Sequence, residues 1–143
     1  MPRYIALLRG VMPTNAKMPE LRRCWESAGF TDVKTVLGSG NVIFNARSAT
    51  ESALERRAER AMQRELGRVF YPIVRSQLAL QGVLELDPWA RFRLPAGSKR
   101  VVTFMRERAE VKLSLPLEVD GARILSVHGR EIFTAYLPGA SGP

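Results

Sequence analysis

The chain has 143 residues, 45% of them apolar, and carries a formal net charge of +8 from 22 Lys+Arg against 14 Asp+Glu. That length suits one domain, or two small halves sharing a core, and it buries roughly 68–70% of the unfolded surface with no need of a disulfide or metal. A single cysteine, Cys24, excludes an internal disulfide and argues against a zinc cluster, and no apolar run approaches the roughly 18 residues of a membrane span.

The opening Met1-Pro2-Arg3-Tyr4 lacks the apolar segment of a signal peptide, so a soluble cytoplasmic protein that meets no membrane is expected. The charge is uneven, with 13 basic against 7 acidic residues through Arg75 and 9 against 7 beyond it. A basic balance favours phosphate-rich partners, although an arginine-rich surface also serves simply to stay solvated.

Tyr4 to Leu8 is a nearly continuous apolar run, as in a central strand buried on both faces. Arg9-Gly10 opens a short polar loop. Pro19 suits the first helical position and Gly29 the stop, and Met18, Leu21, Cys24, Trp25 and Ala28 fall on one helical face. Asp32 to Leu37 reads as a second strand, Gly38-Ser39-Gly40 as a turn and Val42 to Phe44 as a third strand. Ser48 and Glu51 have the spacing of a capping box. The helix that follows buries Leu54, Ala58, Ala61, Met62 and Leu66, and Gly67 ends it. Phe70 to Arg75 completes the order strand-helix-strand-strand-helix-strand, the split βαβ arrangement of ferredoxin-like folds.

Beyond residue 75 the pattern is less regular. Ser76 caps a helix reaching about Leu86, and Asp87-Pro88 breaks it. Arg100 to Arg106 carries good strand residues. Ala122 to Val127 and Glu131 to Leu137 form a hairpin turning at His128-Gly129. No linker composition separates the two parts. The expectation is an α+β chain with a ferredoxin-like half at 1–75 and a smaller second half at 76–143.

In a split βαβ unit, strands one and two run the same way and strand three returns beside strand one. The loop after the first strand and the hairpin after the second therefore share a sheet end, with Gly67-Arg68 there too. Glycines flanking Ser39 let backbone N–H groups approach a ligand, and the first helix adds partial positive charge at its N-terminus. The candidate anion site is Arg9, Gly10, Asn15, Lys17, Ser39, Gly40 and Asn41. The plainer alternative is that these residues only turn the chain, with Arg9 bonding loop carbonyls.

The stretches "YIALLRGV", "NAKMPELRRCWESAGFTDVKTVLGSGNVIF" and "VHGREIF" resemble the DUF1697 family, a family of unknown function. The likeness runs over essentially the whole chain and is most specific from Tyr4 to Phe44. It implies a duplicated α+β fold, with the second half a degenerate copy of the ferredoxin-like unit, and brings no established activity. The "MPTNAKMPEL" loop is similar to a branch lacking the glycine-rich loop of most members, so phosphate cradling by consecutive glycines is not implied. The family pattern continues into a helical tail with a Thr-Arg-x-Trp-like motif. This sequence stops before it, as a natural short form or a truncated chain.

Chemistry offers little else. One His and one Cys far apart in sequence suggest no metal site, no Walker or dinucleotide fingerprint suggests a cofactor, and Gly38-Ser39-Gly40 lacks the spacing of a nucleophile elbow. His128 reads as a turn residue and Cys24 as a buried thiol. An acylphosphatase-like reaction, with Lys17 or Arg9 holding the anion and Asn41 orienting water, rests on fold analogy alone. Binding of a phosphate-bearing small molecule is therefore preferred over catalysis.

The first alternative is nucleic acid held by Arg56, Arg60, Arg64 and Arg68 along the second helix, with Arg57 beside them. Glu51, Glu55, Glu59 and Glu65 dilute that stripe. Base stacking would fall to Tyr4 and Phe44, which the second half is expected to bury. The second alternative is a protein-interaction or regulatory module, including a homodimer, through sheet edges or aromatics such as Trp89, Phe92 and Tyr136.

Overall fold

Alternation along the opening strand decides which face of the first sheet becomes core. In the computed structural model, which describes residues 1–36, 40–108, 110, 112 and 114–139, strand β1 (Arg3–Leu8) buries Tyr4, Ala6 and Leu8. Ile5 and Leu7, on the opposite face, are only half-buried, so the apolar run is an asymmetric strand rather than one equally covered on both sides.

The chain divides into two compact units, Met1–Gly82 and Val83–Pro143. In the first, β1 is followed by α1 (Met18–Ser27), β2 (Thr31–Val36), β3 (Asn41–Asn45), α2 (Glu51–Leu66) and β4 (Pro72–Ser76). The sheet order is β2-β3-β1-β4 with every neighbouring pair antiparallel, so each helix joins two strands that flank a third. Leu21, Cys24 and Trp25 of α1 and Leu54, Ala58, Ala61 and Met62 of α2 meet Val42, Phe44 and Val74 of the sheet in one core. The ring of Phe44 lies 4.5 Å from Phe30 and 5.7 Å from Tyr4. Each large side chain so buried contributes about 1.5–3 kcal/mol.

Arg57 ties the helices together. Its Nε donates to the carbonyl of Ala28 at 2.7 Å, at the end of α1, and its guanidinium lies 4.5 Å from the Phe30 ring centroid. At the other end of α2, Gly67 takes φ +65 and stops the helix as expected.

The start of α2 departs from the capping box. Thr50, not Ser48, is the N-cap, its hydroxyl accepting from the Ala53 N–H at 3.1 Å. Glu51 is then the first helical residue rather than the third, and cannot reach back along the helix. Its carboxylate instead accepts from the Ser76 N–H at 3.1 Å, and Glu55, one turn later, accepts from Val74 N–H at 2.9 Å. Four helical residues rise about 6 Å and two strand residues about 6.7 Å, so two glutamates at i and i+4 match alternate donors of the edge strand β4. An outer edge that would otherwise invite pairing is thereby satisfied internally.

Ser76 also starts α3 (Gln77–Leu86), its hydroxyl accepting from the Ala79 N–H at 3.1 Å. The second sheet has the order β5-β8-β7-β6, built from β5 (Lys99–Phe104), β6 (Leu117–Val119), β7 (Ala122–His128) and β8 (Glu131–Tyr136), all antiparallel. Strand β6 is an addition to the expected elements. Phe133 centres a small core with Trp89, Leu125 and Ala135; Trp89 meets Phe133 edge-on at 5.3 Å and donates its indole N–H to the Thr134 carbonyl at 3.1 Å. The register of β7 shifts between Ile124 and Ser126, where β7 bulges. The fold is α+β, and among the described residues no helix is long and apolar enough to cross a membrane.

Candidate functional site

Three segments meet at one end of the first sheet. Leu7 pairs with Asn41, the Leu8 N–H donates to the Gly40 carbonyl at 3.3 Å, and Leu8 pairs with Pro72. The loop after β1, the start of β3 and the entry to β4 therefore share that end, as the topology requires. Gly40 is there for close approach. It takes φ +85, and a Cβ at this position would lie 2.7 Å from Val11 Cγ2 and 2.8 Å from Val11 Cβ. Only glycine permits both the conformation and the contact. Gly38 and Ser39, two of the expected turn residues, lie outside the described residues.

Asn15 spends its amide on the loop itself. Its Oδ1 accepts from the Met12 N–H at 2.8 Å and its Nδ2 donates to the Gly10 carbonyl at 3.0 Å. The N–H groups of Asn15 and Ala16 both donate to the Met12 carbonyl at 3.1 Å. These bonds close residues 10–16 into a folded turn that ends in the buried Ala16 and presents Lys17 as N-cap of α1. Arg9 and Gly10 are exposed, and Asn41 is half-buried at the start of β3.

Beside that turn lies a groove of about 820 Å³. Thr14 to Lys17 form one wall, Glu20, Arg23, Cys24 and Ser27 of α1 another, and Glu65, Leu66 and Arg68 close it at the end of α2. Of the expected anion-site residues, Asn15 and Lys17 line it; Arg9, Gly10, Gly40 and Asn41 do not. Arg23 and Ser27 escaped notice because they face neither the core nor a motif. Their only signal is their place one and two turns along α1 on the side of Lys17 and Glu20.

Three cations, Lys17, Arg23 and Arg68, share the groove with two carboxylates. Glu65 accepts from Arg64 Nε at 3.0 Å, which offsets part of its charge. Among the described residues no side chain caps the first turn of α1, and because Pro19 has no N–H the uncapped donors there are those of Met18 and Glu20. Cys24 lies under the groove wall, almost fully buried, and burial pushes its thiol up from an ordinary 9.0 to about 11; Glu65 adds to that and Arg64 partly opposes it. Such a thiol is protonated at neutral pH and a poor nucleophile.

The arginine row of α2 is divided among different tasks. Arg56 donates to Ser52 Oγ at 2.7 Å, Arg64 pairs with its neighbour Glu65, and Arg68 stacks 5.5 Å from the Phe70 ring centroid while lining the groove. Arg56 and Arg60 instead flank a shallow depression of about 360 Å³ with Glu59, Gln63 and the exposed Tyr71. Tyr4 and Phe44 are buried, as expected, but by the helices of their own unit: both belong to its core cluster. They offer no stacking platform. Trp89 is an internal aromatic, and His128 lies at the end of β7 opposite Glu131, 5.4 Å from Phe133. Among the described residues no three His, Cys, Asp or Glu side chains gather as a metal site.

Comparison with known proteins adds the lineage. No curated protein matches the sequence. The fold is similar to that of "conserved bacterial protein SP0830 from Streptococcus pneumoniae", with a TM-score of 0.70 at 22% identity, over 99% of this chain and 79% of that one. At that identity the likeness shows the fold alone. A family model described as "Protein of unknown function (DUF1697)" matches residues 1–133. With most of its length matched, the chain belongs to the DUF1697 family, for which no activity is established.

Proposed function

We propose that the first unit binds a phosphate-bearing ligand non-covalently in the groove beside α1. The observation that carries this is the convergence of Lys17 at the start of α1, Arg23 within it and Arg68 just past α2 on one groove of about 820 Å³. Lys17 supplies charge from the turn and Arg68 from the end of α2, and the Glu20 N–H in the first turn of α1 supplies a directed donor. Asn15 acts one step back, by holding the turn. Of the remaining expected contacts, Arg9, Gly10, Gly40 and Asn41 belong to the neighbouring sheet end and would serve a ligand that extends past the turn; Ser39 lies outside the described residues.

Recognition is favoured over reaction because the groove's one thiol among the described residues, Cys24, is buried and held protonated, and the Ser27 hydroxyl is spent on the Cys24 carbonyl. Strand order β2-β3-β1-β4 supports a ferredoxin-like reading of this unit. The second unit, also a four-stranded antiparallel sheet, is read as its degenerate copy. An unpaired cysteine suits a reducing compartment, in keeping with a cytoplasmic location.

Pyrophosphate titrated calorimetrically at low and moderate salt tests the proposal. Saturable binding is expected, weakened about 3–10-fold by Lys17→Ala and by Arg68→Ala and weakened again by salt, in line with partly exposed charge-assisted bonds. Undiminished binding in both folded variants, or no saturable heat, would remove the groove as a phosphate site. Nucleic acid is the second reading, favoured by Tyr71 standing among Arg56 and Arg60. Short single-stranded RNA would then lose affinity with Arg60→Ala and Tyr71→Ala while Lys17→Ala leaves it unchanged.

A further inference from the structure

The second unit holds a cleft of about 450 Å³ whose walls are mostly apolar: Phe92, Leu115, Pro116, Leu125 and Val127, with Arg91 at its rim. Ser126 also lines it. This serine is 95% buried, since 5% of its surface is exposed, and its hydroxyl has no hydrogen-bond partner among the described residues. A buried hydroxyl left unpaired is a standing cost, and strands ordinarily avoid it by placing Val or Ile at such positions.

The backbone explains how the serine comes to be there. In a regular strand, Leu125 and Ser126 would point to opposite faces, yet both are buried. The register shift between Ile124 and Ser126 places an extra residue in β7 at that point, and a bulge of this kind re-aims side chains. Pairing is regular again at Ser126, opposite Phe133. Above the cleft, the exposed Arg91 guanidinium lies 5.1 Å from the Phe92 ring centroid, a stacked pose that leaves its N–H edges available.

We propose that this cleft binds a small amphipathic monocarboxylate. The apolar body lies among Phe92, Leu115, Pro116 and Val127, and the carboxylate accepts from Arg91 and, on a small adjustment of the bulge, from the Ser126 hydroxyl. Chemistry excludes the plainer ligand classes. A wholly apolar guest would leave the buried Ser126 hydroxyl unpaired, and a multiply charged phosphate would meet one cation in an apolar wall. The volume is that of a fragment-sized site.

The test uses the full chain with 3-phenylpropionate, and its neutral amide as the control, followed by amide-resolved NMR. The expected result is saturable shifts at residues 91–92, 115 and 125–127, at least fivefold weaker with the amide. Arg91→Met lowers affinity about tenfold, and Ser126→Ala lowers it severalfold while leaving thermal stability equal or higher. Equal affinity for acid and amide, no saturable shift by about 10 mM, or binding indifferent to Arg91→Met would overturn the proposal. So would a Ser126→Ala chain that binds as the wild type does. If Ser126→Ala fails to fold, the exposed Arg91→Met decides alone. Pyrophosphate is expected to leave these resonances still, so failure here is distinct from failure of the groove in the first unit.

Discussion

Replacing Gly40 by alanine tests how the loop after β1 is held. The new Cβ would sit 2.7 Å from Val11 Cγ2, 2.8 Å from Val11 Cβ and 3.3 Å from Leu8 Cβ, whereas ordinary contacts begin near 3.4 Å. Two costs arise separately. A left-handed conformation at φ +85 costs a non-glycine residue about 1–2 kcal/mol. Forcing an extra carbon into a closed contact costs about 1–3 kcal/mol more. The sum, about 2–5 kcal/mol, corresponds to a fall in the midpoint of at least about 8 °C for a cooperative unit of this size. Urea unfolding followed by circular dichroism should show that loss at unchanged m-value. Adding Val11→Ala removes the 2.7 Å contact but neither the 2.8 Å contact to the Cβ of residue 11 nor the backbone strain, so the double variant should recover part of the loss, with a coupling of about 0.5 kcal/mol or more. A Gly40→Ala chain within about 0.5 kcal/mol of wild type would show that the loop does not pack on the β3 entry as described.

Other consequences concern the helices. Thr50→Ala should cost about 1 kcal/mol through loss of the α2 N-cap, whereas Ser48→Ala should cost less than about 0.5 kcal/mol; the reverse order in denaturant unfolding would restore the capping box. Arg57→Met keeps the aliphatic stem but removes the bond to the Ala28 carbonyl and the charge over Phe30, for an expected loss of about 1.5–3 kcal/mol. Cys24 gives a pH signature. Its folded pKa is raised, so its contribution is complete below pH 9 and is lost as pH rises toward 11, by up to about 2–3 kcal/mol. Stability measured from pH 8 to 11 should therefore fall more steeply for wild type than for Cys24→Ala; parallel slopes would mean that the thiol titrates normally.

Much of the fold is legible in the sequence because the first unit follows local rules. The apolar face of α1 is the set from Met18 to Ala28, Gly67 ends α2, and Ser76 begins α3. The misses have local causes. Thr50 and Ser48 are both good caps two residues apart, and only the demand of β4 for acceptors decides that Glu51 turns outward from its helix. Strand β6 is three residues long, too short to show alternation. The groove is harder still. Its lining comes from residues 14–17, 20–27 and 65–68, so its unity is a product of packing rather than of any motif. Lys17 and Arg68 both stood out in the sequence, but for different ligands. Asn15 stood out as a contact and proves to be the residue that shapes the turn.

Phosphate recognition in the groove is tested most directly by an amide-resolved NMR titration with pyrophosphate at two salt concentrations. Binding there predicts saturable shifts at Asn15, Lys17, Glu20 to Cys24 and Glu65 to Arg68, shrinking as salt rises. Shifts spread along Arg56, Arg60 and Tyr71 instead, or none at either salt concentration, would contradict it.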